Sequence, residues 1–288
     1  MPAVTGPRAI AFPGQGGDWR AAVEILQAQA AHPLVTALVD RFGTSDWDAL
    51  DGLDTAVAQP VVYVAGLVGP AAGVDATLAM GHSLGEITAA AWAGAIDPEA
   101  GLDLMIARGA LGTAGQAERP GAMAAVNRWE APQVEWLRRT VQADLGGVLD
   151  VAVTNSATQT VLSGDAALVD AAIERANEAG AVARLLPIGG AYHSSLMAPA
   201  VDGFRAAVES AVSGPPRVPV LSSTLQQLLG TPEELVDGLT RSLVLAVDWP
   251  ATVAAAVAFG VERAVEAGPG DTLSRLARFA PELVIDRP

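Results

Sequence analysis

An α/β fold with a smaller unit inserted into it is predicted for this chain of 288 residues, on three observations. Short apolar runs end at glycine-rich turns and lead into helix-like periodicity, as at residues 9–12 and 78–80. After Pro120 the pattern changes to strands and amphipathic helices in the order β-α-β-β-α-β. Beyond residue 188 the first pattern returns.

Residues 9–12 read as a buried strand entering the loop Pro13-Gly14-Gln15-Gly16-Gly17. Residues 19–40 and 56–69 read as helices, with Pro33 and Pro60 as their punctuation. Residues 78–80 form a short strand cut off by Gly81, and 87–94 carry the small residues of a tightly packed helix. A further amphipathic helix covers 99–110. Then come a strand at 122–126, a helix at 134–141, strands at 151–154 and 160–162, a helix at 166–179 and a strand at 182–186. That order is the ferredoxin-like arrangement. It predicts a small subdomain at 121–187 inside a large subdomain made of 1–120 and 188–288. In the returning part, 218–221 reads as a strand, 232–245 as one or two helical stretches and 251–259 as a helix. A strand at 263–266 stops at Gly268-Pro269-Gly270, and 271–279 is helical.

Composition removes several kinds of chemistry. The chain has no cysteine, so disulfides, thiolate metal sites and a cysteine nucleophile are out. Its three histidines, His32, His82 and His193, are too few for a multi-histidine metal site, and no metal is expected. All 17 basic residues are arginine, which excludes Schiff-base chemistry and a P-loop lysine. The net charge of −15 argues against nucleic acid as a partner. Residues 71–96 are rich in alanine and glycine but contain Asp75, His82 and Glu86, so they read as buried core and not as a membrane span. Residues 1–8 lack the pattern of an export signal, and a cytoplasmic protein is expected.

Gly81-His82-Ser83-Leu84-Gly85 fits the nucleophile elbow G-x-S-x-G. A serine on a sharp strand-to-helix turn exposes its oxygen, and the flanking glycines leave room for the strained backbone. The helix that follows points its N-terminus at developing negative charge. A serine also needs a base. His32 precedes a proline in a surface loop, and His82 adjoins the serine on the turn, where it rarely points back. His193, in Gly190-Ala191-Tyr192-His193, remains; taken alone, it also fits a satisfied structural histidine.

Seven motifs then occur in order across nearly the whole chain. They are Ala11-Phe12-Pro13-Gly14-Gln15-Gly16, residues 81–86, Arg108-Gly109, Gly121-Ala122-Met123-Ala124, Asn155 with 159–164, residues 191–197, and residues 266–270. Together they resemble the malonyl-CoA:acyl-carrier-protein transacylases and the acyltransferase domains of polyketide synthases. The resemblance implies an α/β-hydrolase-like core with a ferredoxin-like insert. It implies that Ser83 attacks an acyl-CoA thioester, that His193 takes its proton, and that the acyl group passes to the phosphopantetheine thiol of an acyl carrier protein. The backbone N–H groups of Gln15 and Leu84 match the oxyanion hole, and Arg108 matches the arginine that holds a malonyl carboxylate. Tyr192 and Asn155 fall among the substrate-binding positions. Leu84 and the aromatic Tyr192 lean towards malonyl over methylmalonyl, a difference of one methyl group worth about 1–3 kcal/mol. No bound cofactor is implied.

Three positions depart from the family pattern. Asp18 stands where an amide is usual, which repels a carboxylate if it points inward. Ser242 occupies the amide position that helps orient the histidine, with a shorter side chain. Ser223 replaces an asparagine. These departures keep open a carrier-to-carrier transferase for an unusual acyl group and an acyl-carrier-protein hydrolase; a non-catalytic carrier-binding protein is the remote alternative. The chain reads as a free-standing monomer acting in trans on separate carriers. Carriers of this kind are acidic, so docking requires a local arginine patch, with Arg138, Arg139, Arg275 and Arg278 as candidates.

Overall fold

The computed structural model describes residues 8–16, 18–114 and 119–287. Gly17 of the glycine-rich loop and residues 1–7 of the N-terminus lie outside the described residues. The strands are β1 (Arg8–Phe12), β2 (Leu78–Gly81), β3 (Gly121–Asn127), β4 (Leu149–Ser156), β5 (Gln159–Asp165), β6 (Val182–Leu185), β7 (Val220–Leu221), β8 (Leu228–Leu229), β9 (Val247–Asp248), β10 (Arg263–Glu266) and β11 (Val284–Asp286). The helices are α1 (Trp19–Ala28), α2 (Pro33–Phe42), α3 (Thr55–Val68), α4 (Gly85–Trp92), α5 (Pro98–Ala114), α6 (Ala131–Leu145), α7 (Ala166–Glu178), α8 (Val201–Ala211), α9 (Pro232–Arg241), α10 (Trp249–Ala258) and α11 (Thr272–Leu276).

The larger sheet has the order β11-β10-β1-β2-β7-β8. All its neighbours pair in parallel except the antiparallel edge pair β7–β8. Its central strands read as continuous apolar runs because both faces are covered: residues 9–12 of β1 are fully buried. The smaller sheet has the order β6-β3-β5-β4-β9, in which the pairs β6–β3, β3–β5 and β5–β4 are antiparallel. Its helices α6 and α7 cover one face, packing Val134, Leu137, Val141 and Val169 on Ala124, Val126 and Leu162. Alternate residues Met123, Ala125, Val153 and Val161 point the other way and belong to the main core.

The fold is thus the mixed α/β architecture expected, and it adds elements the sequence reading lacked. Helix α8 was missed, although Phe204, Val208 and Ala211 form its buried stripe at helical spacing. Pro60 lies inside α3 and does not end it. The strand expected at 218–221 is only two residues long, β8 and β9 are equally short, and β11 has three residues; none is long enough to show periodicity. Strand β9 pairs in parallel with β4, Val153 facing Val247 and Thr154 facing Asp248. A segment far beyond residue 187 therefore closes the edge of the smaller sheet. No helix among the described residues is long and apolar enough to cross a membrane.

Candidate active site

Ser83 sits on the turn between β2 and α4 with φ of 54°, in the left-handed region. A non-glycine residue there is strained, and such strain gathers at functional sites. The turn is possible because its flanking residues have no side chains. A Cβ on Gly81 would lie 2.0 Å from the Gly85 carbonyl carbon, and one on Gly85 would lie 2.2 Å from the Phe12 carbonyl oxygen. The spacing of the elbow motif is therefore a packing requirement of β1, β2 and α4.

The turn aims the Ser83 hydroxyl at His193, whose Nε2 is 2.6 Å from Oγ. His193 is also left-handed, with φ of 60°. Its backbone N–H donates to the Leu243 carbonyl at 2.9 Å, and its Nδ1 meets the Leu245 carbonyl oxygen at 2.8 Å. A carbonyl can only accept, so the proton resides on Nδ1 and Nε2 is free to accept from the serine. Burial, and after it the Arg108 charge, pushes the His193 pKa down to about 3. The imidazole is a neutral base at physiological pH.

His82 turns away from the serine. Its Nε2 is 2.9 Å from the Asn155 Oδ1, and its ring leans on Trp249. One of the two register shifts in β4, between Thr154 and Ser156, falls at Asn155 and leaves it out of the ladder, so that its amide can turn to the site. Burial lowers the His82 pKa.

Arg108, on α5, is 1% exposed. Its Nη1 donates to Gln59 Oε1 at 2.9 Å and its Nη2 reaches the Ser83 Oγ at 3.4 Å. The guanidinium lies 4.6 Å over the Tyr192 ring, whose hydroxyl donates to the Arg108 carbonyl at 2.7 Å. Among the described residues no carboxylate pairs with Arg108, and its Nε has no hydrogen-bond partner. Burial lowers its pKa, but a guanidinium stays protonated. A buried cation that feels the Glu86 charge but that no carboxylate contacts among the described residues, facing a cleft, is a site suited to an anionic group.

A polar chain runs on from Arg108. Gln59 Nε2 donates to Gln15 Oε1 at 3.2 Å, and Gln15 Nε2 donates to Thr55 Oγ1 at 3.0 Å. Thr55 Oγ1 also accepts the Gly189 N–H at 2.7 Å. Gln59 and Thr55 were not singled out in the sequence; the one available signal was a glutamine inside the apolar run 56–69. Among the described residues neither the Gln15 nor the Leu84 backbone N–H is engaged in a hydrogen bond.

Two expectations are settled by direction. The Asp18 carboxylate accepts from Ala21 N–H at 3.1 Å and caps α1. The Ser242 hydroxyl donates to the Leu239 carbonyl of its own helix at 2.7 Å. The short Ser242 side chain thus turns back to the carbonyl three residues earlier and does not reach the histidine, and Leu245 supplies the acceptor for His193 Nδ1. The arginine patch also changes. Arg138 and Arg139 are both tied to Glu135 on α6, and Arg275 pairs with Asp271.

Gln15, Gln59, His82, Ser83, Arg108, Asn155, Tyr192 and His193 line a cleft of about 860 Å³ between the ends of β1 and β2 and the face of the smaller sheet that carries Met123, Ala125, Val153 and Val161. Residues 11–278 match the acyl transferase domain family. The chain belongs to that family. This acyltransferase is 34% identical to the malonyl CoA-acyl carrier protein transacylase of Mycobacterium tuberculosis H37Rv, over 78% of this chain and 74% of that protein. It is 30% identical to the polyketide synthase GfsA of Streptomyces halstedii over 93% of this chain, and spans only 4% of that synthase. Among solved structures, FabD from Acinetobacter baumannii superposes with a TM-score of 0.84 at 29% identity, covering 98% of this chain and 94% of that one. A malonyl-transacylase in complex with a type II polyketide synthase acyl-carrier protein, PlMCAT:AntF, gives 0.85 at 27% identity, covering 98% and 96%.

Proposed function

We propose that this acyltransferase moves a malonyl-type acyl group from coenzyme A to the phosphopantetheine thiol of an acyl carrier protein, through an ester on Ser83. The observation that carries the reading is the unpaired, buried Arg108 guanidinium 3.4 Å from the Ser83 hydroxyl. It suits an acyl group that ends in a free carboxylate, held by two parallel hydrogen bonds while its thioester carbonyl reaches the serine.

In the first half-reaction Ser83 Oγ gives its proton to His193 Nε2 and attacks the thioester carbonyl. The oxyanion is met by the backbone N–H groups of Gln15 and Leu84, at the N-terminus of α4. As the C–S bond breaks, the coenzyme A sulfur takes the proton from Nε2 and leaves as the thiol. In the second half the carrier thiol yields its proton to Nε2 and attacks the ester; Ser83 Oγ leaves and recovers the proton. The Leu245 carbonyl stabilises the imidazolium that forms in each half. Tyr192 acts as the floor under Arg108, and Asn155 borders the acyl group through its hold on His82. Arg184 and Arg278, which form no ion pair among the described residues, stand at the cleft with the exposed Leu185 and Phe279. They suit an anionic pantetheine-bearing partner.

The test is intact-protein mass spectrometry of wild type and Ser83→Ala mixed with malonyl-, methylmalonyl- and acetyl-coenzyme A. A malonyl adduct on the wild type alone is expected. An adduct that persists in Ser83→Ala, or acetyl preferred to malonyl, overturns the reading.

A further inference from the structure

Glu86 is the one buried carboxylate beside the nucleophile that the reaction above leaves without a task. It lies in the first turn of α4, three residues after Ser83, and its N–H donates to the Ser83 carbonyl at 3.0 Å. It is fully buried and no cation is bonded to it among the described residues. Three donors converge on it instead. Ser223 N–H and Oγ reach Oε1 at 2.8 and 2.6 Å, and Ser222 Oγ reaches Oε2 at 3.2 Å. An ionised carboxylate, which only accepts, satisfies such a set on both arms; an amide offers an acceptor on one arm only. Keeping an unpaired carboxylate out of water is costly, more than a simple strut requires.

The same bonds lead to the base. Ser223 O accepts the Asp248 N–H at 2.9 Å. Asp248 ends β9, which is zipped to β4, and two residues before β9 stands Leu245, whose carbonyl holds His193 Nδ1. From the nucleophile turn, the path Glu86–Ser223–Asp248–Leu245 returns to the histidine that the nucleophile faces.

We propose that Glu86 is a positioning residue: its carboxylate anchors the Ser222–Ser223 turn and, through Asp248, holds the segment whose Leu245 carbonyl fixes the tautomer of His193. The proposal rests on Ser83 and His193 being the reacting pair. Burial pushes the Glu86 pKa up to about 7, with the Ser223 hydroxyl and N–H opposing. Its grip is therefore full above neutral pH and slackens as the pH falls through 7. The other ionisable groups around it do not titrate there: Arg108 on α5 stays protonated, His82 and His193 are depressed by burial, and burial raises the Tyr192 phenol.

The experiment is imidazole ¹⁵N NMR on the full chain, where three histidines give three resolvable rings. In the wild type, the His193 signals should move with a midpoint near pH 7 while keeping the neutral pattern, and kcat for acyl transfer should fall over the same range. In Glu86→Gln that step should vanish, with kcat lowered about ten- to a hundredfold at every pH and KM for acyl-CoA little changed. Ser223→Ala, a milder change, removes a bond that favours the charged form and should raise the midpoint. The proposal fails if the wild type shows no such step, if Glu86→Gln keeps the step or the wild-type kcat, or if Ser223→Ala leaves the midpoint unmoved. The NMR step is read without turnover, so it survives even if the acyl group is not malonyl.

Discussion

The Nδ1 of His193 lies 2.8 Å from the carbonyl oxygen of Leu245. Burial and the Arg108 charge keep the base neutral far below the usual imidazole range, while this contact, which by itself favours the charged form, fixes the proton on Nδ1. The acylation rate of Glu86→Gln, which lacks the carboxylate titrating near 7, should therefore stay flat from pH 8 down to 5 in stopped-flow release of coenzyme A. A limb at pH 6–7 in that variant would mean that His193 takes up its proton at the ordinary value. The same depression affects stability. An unfolded chain protonates this imidazole below its ordinary pKa of 6.5 and the folded one does not until about 3, so this group's stabilising contribution is lost as the pH falls from 6.5 towards 3.

Arg108 should separate carboxylated from plain acyl groups. Arg108→Ala removes one partner of a buried charge contact, worth about 2–5 kcal/mol. Acylation by malonyl-CoA should fall by about two to three orders of magnitude in kcat/KM, and that by acetyl-CoA should hold or rise. Arg108→Lys should be intermediate, because the charge remains and the fork is lost. Equal losses for both acyl groups would count against a carboxylate reader.

The elbow glycines should tolerate nothing. In Gly85→Ala the new methyl meets the Phe12 carbonyl oxygen at 2.2 Å, and strand β1 cannot withdraw from the middle of its sheet. A destabilisation of about 4 kcal/mol or more is expected from chemical denaturation. Gly203→Ala is the control. It lies in α8, and nothing comes within 4 Å of the added carbon, so the change should stabilise by about 0.5–1 kcal/mol.

Thr55 accepts two hydrogen bonds, from the Gln15 side chain and the Gly189 backbone. Thr55→Val keeps the shape and strands both donors, at about 1–3 kcal/mol each when they stay buried. The urea midpoint should drop, and acylation should slow if Gln15 meets the oxyanion as proposed. Thr55→Ser should restore both.

Much of this site is legible in the sequence because its chemistry is local. Gly81, Ser83 and Gly85 must be neighbours, so their spacing is written in the chain. His193 and Arg108 are legible only through the resemblance, since a lone histidine or arginine has many uses. Leu245 is invisible: what it contributes is a backbone carbonyl, which every residue has, and only the fold aims it. Gln59 and Thr55 escaped because their polar groups are spent inside a helix that otherwise reads as core. Strand β9 escaped because two residues carry no alternation. For Ser242 the shortness of the side chain is legible, but the carbonyl it turns to, that of Leu239, is visible only in the fold.

Strand β9 has one more consequence. The edge of the smaller sheet is completed by Val247–Asp248, and the same stretch carries the acceptor for His193. The unit that can be transplanted between acyltransferases is consequently discontinuous. A graft of residues 121–187 alone would leave the donor β4 edge to mate with the recipient's own 243–248, and the histidine's alignment would depend on how well two foreign pieces meet. Chimeras that carry both segments should retain the geometry of the base, while those split between them should lose it.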